Sequence, residues 1–314
     1  MTAPARAAGR EIIVPGSIAN LGPAFDALSV AVDLDLRVRI EEVGARPADA
    51  PDIALEGQVP ATGENRIATA FLRAASMLGE VPPPVRVSVR SAIPMKGGLG
   101  SSAAATVAGL RLFEALTYPR DVDTWLRLAT DIEGHPDNAA AALLGGLTLS
   151  CQTADGRVLA SSWAWPDDLR FVVATPEAEL ETRFARTVLA PEISRADAIY
   201  NLQRALLLVR ALETRRYDLL REALGDRWHQ PARMQFVPGL ADILALEHPA
   251  VLGACLSGAG PSVAVLATDP DAAAAEVRRV YDRLGMPYTI RILAARPPDA
   301  AALAAPSRLH QETP

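Results

Sequence analysis

Pro94-Met95-Lys96-Gly97-Gly98-Leu99-Gly100-Ser101-Ser102-Ala103-Ala104 is the stretch on which the architecture turns. Just before it, Val85 to Val89 alternates apolar and polar residues, with Arg86, Ser88 and Arg90 on the outer face, which predicts a strand. Just after it, the Ala-rich run Ser101 to Leu116 predicts a helix. Between them lie three glycines and two serines. Glycine allows positive φ and lets backbone N–H groups come close to a ligand. The start of a helix adds unsatisfied N–H donors and the positive end of the dipole. A strand running through such a turn into a helix is therefore an anion site, best suited to phosphates. The hydroxyls of Ser101 and Ser102 suit a helix cap, a phosphate or Mg²⁺. The string is not a Walker A loop, because Gly-Lys-Ser/Thr is missing, and not the dinucleotide pattern G-x-G-x-x-G. A lone glycine turn would be only a tight turn with a serine cap; eleven such residues in order argue against that.

Working outward, Asp33 to Glu41 alternates, with Leu34, Leu36, Val38 and Ile40 on one face, and predicts a half-buried strand. Glu11 to Val14 predicts another. Asn65 to Leu78 reads as a helix with Ile67, Ala70, Phe71 and Ala74 on one face, and Pro82 to Pro84 force a loop. Helices are predicted over Val122–Glu133 and Asp137–Leu144, the latter ended by Gly145 and Gly146, then a strand over Leu147–Cys151. Pro166 and two aspartates within Trp163 to Asp168 mark a composition shift. Beyond it come a strand at Leu169–Ala174, helices at Arg195–Glu213 and Tyr217–Leu224, strands at Val251–Leu256 and Val263–Ala267, a helix at Asp271–Leu284 and a closing strand at Tyr288–Leu293. Strands mixed with segregated helices predict an α+β fold in two halves, residues 1–165 and 166–296, with a frayed Pro/Ala-rich tail over 297–314.

The chain has 314 residues, half of them hydrophobic and 22% charged. That is material for one large or two ordinary domains and excludes a disordered chain. With 31 basic and 37 acidic residues, a net of −6, nucleic acid is not the expected partner. Lys96 is the only lysine. Cys151 and Cys255 have apolar or small neighbours, so two buried thiols in a reducing compartment are expected, and scattered histidines assemble no zinc motif. Met1 to Arg10 has no apolar signal-peptide region. His248 to Thr268 carries no charge and is long enough to span a bilayer, but Pro249, Gly253, Gly258, Gly260 and Pro261 break it into two buried strands. No membrane partner and a cytoplasmic location are expected.

Other segments carry chemistry. Glu133-Gly134-His135-Pro136-Asp137-Asn138 sets four polar side chains at a helix junction. Alone it suits a capped helix start as well as a ligand site. About 30 residues after a phosphate loop, Glu133 becomes a natural Mg²⁺ ligand beside Ser102. Pro15 to Asp26 reads as a long loop offering Asn20 and Asp26 to a polar ligand, or as a structural turn. Leu256-Ser257-Gly258-Ala259-Gly260-Pro261-Ser262 permits close backbone approach, or simply a tight strand connection. Thr182, Arg183, Arg186, Asn201, Asp226, His229 and Arg233 are scattered; Arg186 and Arg233 each have the fork that clamps a carboxylate.

Together these segments resemble the small-molecule kinase superfamily of galactokinase, homoserine kinase, mevalonate kinase and phosphomevalonate kinase. Pro94 to Ala104 is similar to its phosphate motif, and Ser257 to Ser262 to its C-terminal glycine motif. Ser17 to Leu28, Glu133 to Asn138, Thr182-x-x-Ala185-Arg186 and Asp226-x-x-His229-Gln230-Pro231-x-Arg233 resemble the homoserine kinase family in particular. The resemblance runs from about Ile12 to Leu293. Gly16, Ala24 and Lys96-Gly97 depart from the usual residues, which touches fine substrate preference and not reaction class.

The resemblance implies an N-terminal half like ribosomal protein S5 domain 2, with a left-handed crossover, and a ferredoxin-like C-terminal half. ATP would lie in the cleft between these two halves, and the protein would form a homodimer. The implied activity is ATP-dependent phosphorylation of the L-homoserine hydroxyl, a step of threonine biosynthesis. Pro94, Lys96, Gly97, Gly98, Leu99, Gly100, Ser101, Ser102 and Ala103 would hold ATP, with Asn65 and Ile67 near adenine; Ser102 and Glu133 would hold Mg²⁺. Arg186 and Arg233 would take the substrate carboxylate, and Asp26 and Asp137 its ammonium. Asn20 and His135 would orient the substrate, lined by Asn138, Thr182 and Gly258. Asn20, His135, Asp137 and Arg186 form the expected catalytic set, with no firm general base; Asp137 and His135 lie nearest by motif. A kinase of this fold for another small alcohol, and a non-catalytic metabolite-binding relative, are the alternatives.

Overall fold

The computed structural model describes residues 7–44, 52–58, 65–178 and 182–299, of which the side chains of Thr182 and Arg183 are not described. The first half contains strands β1 (Glu11–Ala19), β2 (Leu28–Val43), β3 (Ile53–Gly57), β4 (Val85–Ser91), β5 (Leu147–Gln152) and β6 (Val158–Trp163). Its helices are α1 (Arg66–Leu78), α2 (Ser101–Leu116), α3 (Val122–Glu133) and α4 (Asp137–Leu144). The strands form one sheet in the order β3-β4-β2-β5-β6, and β1 pairs antiparallel with β2. β2 is long enough, at 16 residues, to pair with β1, β4 and β5 along its length.

β1 runs five residues beyond the predicted strand, because Pro15 and Gly16 do not end it. Pairing shifts register between them, a bulge where proline, lacking an N–H, costs no ladder bond. Only the second part of the expected loop, Asn20 to Asp26, lies outside strands. β3 and β6 are additional to the predicted strands.

The second half holds β7 (Arg170–Pro176), α5 (Thr182–Thr187), α6 (Arg195–Glu213), α7 (Leu220–Ala223), α8 (His229–Arg233), α9 (Leu240–Leu244), β8 (Gly253–Leu256), β9 (Val263–Ala267), α10 (Pro270–Leu284) and β10 (Tyr288–Leu293). Its sheet is antiparallel throughout, in the order β10-β7-β9-β8, which is the ferredoxin-like arrangement expected. The uncharged stretch His248 to Thr268 is β8 and β9 with their connection, and among the described residues no helix is long and apolar enough to cross a membrane.

Both faces of this sheet are buried. Phe171, Val173, Cys255, Ala264 and Leu266 pack into the core that also contains β1, β2, α1 and α2, while Val172, Ala174, Val263 and Val265 pack under α10. The period-two alternation therefore joins one face of the C-terminal sheet to the N-terminal half.

Two expectations need correction. The tail is not frayed where it is described: Arg296 N–H donates to Ala31 O, Gly146 N–H donates to Arg296 O, and Asp299 N–H donates to Leu144 O. Residues 294–299 strap the chain back onto β2 and α4; residues 300–314 lie outside the described residues. Cys255 is buried, its thiol pKa pushed up to about 12 by desolvation, but Cys151 is exposed on the outer face of β5.

Candidate active site

The turn from β4 to α2 holds three left-handed residues, Lys96, Gly98 and Gly100. Gly100 is the N-cap of α2 and no side chain caps the helix, so Ser101 and Ser102 do not take the capping role open to them. Among the described residues, no backbone N–H from Gly97 to Ala103 donates a hydrogen bond. A run of unspent donors at the positive end of a 16-residue helix is an anion cradle.

The cradle is shaped from behind by the second half. Ser257 Oγ donates to Gly98 O at 2.7 Å, and Ser262 N–H donates to Gly97 O at 3.3 Å. A Cβ on Gly98 would sit 2.6 Å from Ser257 O and 2.7 Å from Gly260 O. The two glycine-rich strings, more than 150 residues apart, form one packed unit, which is why both need glycine.

Beside the cradle, Glu133 at the end of α3 accepts from Ser102 Oγ at 3.1 Å and from Thr106 Oγ1 at 2.5 Å, both through Oε1. Oε2 has no partner among the described residues. A serine hydroxyl and a carboxylate next to an anion cradle are hard oxygen donors that fit Mg²⁺. Thr106 was not singled out from sequence, although it follows Ser102 by one helical turn and so shares its face.

The Glu133–Asn138 segment and the loop after β1 meet on the other side. His135 Nδ1–H donates to Asp137 Oδ1 at 2.6 Å, and Asn138 N–H donates to the same oxygen at 2.8 Å. Asp137 is buried and anchors the first turn of α4. Burial works against charge on His135, but Asp137 outweighs it and the imidazole pKa is raised. Arg186, on α5, forks onto Asp26 with bonds of 2.9 and 2.7 Å. Burial opposes its charge too, and Asp26 again prevails. Asp26, His135 and Asp137 offer ligand atoms within 4.8 Å of one another. With Asp26 held by a guanidinium and His135 protonating more readily, this cluster suits a charged organic group better than a metal.

Ser17 links the two regions. Its N–H donates to Leu99 O and its Oγ donates to Asn138 Oδ1 at 2.7 Å. The charged cluster thus adjoins the anion cradle directly.

Other expected site residues have different work. Asn20, itself in the left-handed region, donates from Nδ2 to Gly258 O at 2.9 Å and accepts from Asp26 N–H at 3.0 Å. It braces the loop and does not point a free amide at a ligand. Arg233 is not an open fork. It is 2% exposed, with Nε donating to Ala185 O and Nη1 to Gly258 O, and only Nη2 lacks a partner among the described residues. Desolvation, with Arg186 nearby, draws its pKa down to about 10. Gly258 is thereby a junction: its carbonyl takes Asn20 and Arg233 and its N–H donates to Ala19 O.

His229 supports this junction. Nε2–H donates to Gly22 O at 2.7 Å and Nδ1 faces Arg233 Nη1 at 3.3 Å, which assigns a neutral ring; burial lowers its pKa accordingly. Asp226 accepts from Asn201, Trp228 N–H and Gln230 N–H, fixing the start of α8. Phe25 was also missed in the sequence. Its ring centroid is 5.3 Å from both Arg186 Cζ and Arg233 Cζ, and it packs on Trp228 and His229. A lone aromatic in a polar loop was the available signal.

Asn65 spends its Oδ1 on capping α1, accepting from Ile67 and Ala68 N–H, and the Ile67 side chain is in the core. The Ile67 side chain is therefore unavailable to a ligand, while Asn65 keeps its Nδ2 uncommitted to the cap. Pro94 and the buried side chains of Leu99 and Ala103 shape the cradle, leaving the ligand to backbone donors. The backbone of Thr182 begins α5, while its side chain lies outside the described residues.

The models of the GHMP kinases N-terminal and C-terminal domains match residues 65–146 and 208–284. Homoserine kinase of Thermus thermophilus is 42% identical over 82% of this chain and 86% of the relative. That of Microchaete diplosiphon is 35% identical over 93% and 96%. The crystal structure of homoserine kinase from Cytophaga hutchinsonii superposes with a TM-score of 0.78 at 25% identity, covering 91% of this chain and 95% of that one. The anion cradle lies within the first matched domain and its glycine backing within the second, and with relatives of this identity over most of its length the chain belongs to the homoserine kinase family of the GHMP kinases.

Proposed function

We propose that the protein transfers the γ-phosphoryl group of ATP to the hydroxyl of L-homoserine, giving O-phospho-L-homoserine and ADP for threonine biosynthesis. The observation that carries this reading is the join made by Ser17 and Asn138 between the open amides of Gly97–Ala103 and the Asp26–His135–Asp137–Arg186 cluster. A triphosphate and a zwitterion need adjacent sites of these two kinds.

The amides of Gly97 to Ser102 hold the phosphates. Ser102 and Glu133 would hold Mg²⁺, which supplies charge neutralisation across the phosphates. Arg186 and the free Nη2 of Arg233 take the substrate carboxylate, and Asp26 and Asp137 take its ammonium. In this scheme Arg186 exchanges part of its pairing with Asp26 for the substrate. The substrate hydroxyl oxygen bonds to the γ-phosphorus as the bond to the β-bridging oxygen breaks, and the hydroxyl proton passes to a phosphoryl oxygen. His135, its ring fixed by the Nδ1 contact with Asp137, orients the substrate, and no residue is assigned as general base. Catalysis then rests on positioning and charge. The enzyme acts as a homodimer.

The test is ADP release with Mg·ATP against L-homoserine, D-homoserine, L-serine, L-threonine, mevalonate and galactose. Selective turnover of L-homoserine is expected. Turnover of mevalonate or galactose alone would keep the cradle and discard the zwitterion site; ATP binding without turnover of any alcohol would favour a metabolite-binding relative.

A further inference from the structure

Helix α6 has two unlike faces. Asn201, Leu208, Ala211 and Leu212 are buried against the protein. The opposite side carries Ile199, Leu202 and Leu206, which are 47%, 61% and 64% exposed. Solvent-facing helix surfaces are normally polar, and a contiguous apolar stripe marks a contact. The spacing is informative. Arg195, Ile199, Leu202, Leu206, Val209 and Glu213 follow one another at alternating intervals of four and three. That is the a/d seam of a coiled coil, apolar at its four inner positions and closed by a cation at one end and an anion at the other.

We infer that α6 pairs with α6 of a second copy, antiparallel across a twofold axis between Leu202 and Leu206. The pattern is self-complementary only in that arrangement. Leu202 meets Leu206 of the partner subunit, Ile199 meets Val209 of the partner subunit, and Arg195 meets Glu213 of the partner subunit. Each contact occurs twice, as an isologous interface requires. Parallel pairing would set like charges against each other at both ends. Within its own chain Glu213 has Arg210 at 3.4 Å, an exposed pair that leaves the carboxylate accessible. The inference names the surface of the dimer proposed above. It also connects that surface to the site, because Asn201 on the inner face of α6 holds Asp226 and through it the start of α8.

The experiment is sedimentation velocity over a concentration series on the full chain, with circular dichroism to verify folding. The wild-type protein is expected to be dimeric. Leu206→Glu, which sets two carboxylates in the middle of the seam, should be monomeric with an unchanged spectrum. Arg195→Glu should raise the dimer dissociation constant about tenfold, two exposed ion pairs being lost and replaced by repulsion. The double variant Arg195→Glu, Glu213→Arg should recover wild-type affinity. A monomeric wild-type protein would refute the dimer itself. A dimeric Leu206→Glu would refute this surface and leave the dimer standing. A double variant as weak as Arg195→Glu would refute the antiparallel register.

Discussion

Gly98→Ala tests the claim that two distant glycine strings form one phosphate cradle. Gly98 has φ +72°, and an alanine Cβ there would lie 2.6 Å from Ser257 O and 2.7 Å from Gly260 O. The left-handed conformation alone costs an L-residue about 1–2 kcal/mol. The contacts are about 0.8 Å shorter than the onset of ordinary van der Waals approach, and both obstacles are backbone, which cannot rotate away. The loop must therefore retreat by most of that distance, carrying the amides of Gly97 to Ser102 with it. A displacement approaching 1 Å in groups that position a reacting centre costs up to about a hundredfold in rate. The expected result is a fall in kcat/KM of about thirtyfold to a hundredfold, measured by coupled ADP release, with a fall in Tm of about 4–8 °C. Gly79→Ala is the control. Gly79 has φ +66° at the end of α1 with nothing within 4 Å of the added Cβ, so it bears the backbone cost alone and should lose stability without losing activity. Wild-type kcat/KM in Gly98→Ala would refute the cradle, and equal activity losses in both variants would refute the role assigned to Ser257 and Gly260.

Glu133→Gln should lower Mg²⁺-dependent turnover by at least about a hundredfold while leaving Tm nearly unchanged, because Thr106 and Ser102 still have an amide oxygen to bond; steady-state rates across a Mg²⁺ series and a melting curve check both halves. Arg233→Ala should be felt first in stability, losing about 1–3 kcal/mol in urea unfolding, since it strands the carbonyl of Ala185 in a buried region and leaves Gly258 O with Asn20 alone. A rise in homoserine KM with unchanged stability would restore Arg233 as an open substrate fork. The raised pKa of His135 gives a signed pH effect. The folded protein holds this proton more tightly than the unfolded chain, so the His135–Asp137 contribution is complete below about pH 6.5 and is lost as pH rises through the folded value. The stability gap between wild type and His135→Asn, read by urea titration, should therefore narrow on going from acid to alkaline pH; a gap that widens would contradict the pairing.

Much of this arrangement is legible in the sequence where local chemistry and tertiary role coincide. Helices α2, α3, α4 and α6 occupy the predicted residues because each carries a local signal: the Ala-rich run of α2, the Asp121 cap and Gly134 stop of α3, the Gly145 stop of α4 and the Ser194 cap of α6. β1 was curtailed because Pro15 and Gly16 look like a loop locally, whereas the bulge is made acceptable only by its partner β2. β6 was missed because Val158 to Trp163 is half exposed at a sheet edge and contains two serines, so its alternation is weak. Arg186 beside Asp26 was legible as residue types, since charges of those kinds recur in known motifs. The closed fork of Arg233 was not, because its acceptors are backbone carbonyls of Ala185 and Gly258, and every residue has a carbonyl. Thr106 and Phe25 act through neighbours distant in sequence, Glu133 and the α8 network, so the local signals they carry, a shared helix face and a lone aromatic in a polar loop, do not by themselves assign a role.

The strap formed by residues 294–299 has a consequence for how the protein is made. Ala31 O, Gly146 N–H and Leu144 O all find their partners near the end of the chain, at Arg296 and Asp299. During synthesis the first half leaves the ribosome long before those partners do, and its apolar surface toward Phe171, Val173 and Leu266 stays uncovered meanwhile. The nascent half waits with backbone groups and core surface unpaired, a state open to aggregation and to chaperones. A stop codon just after β10 would spare every residue assigned to the active site and still leave the newborn protein without its last fastening.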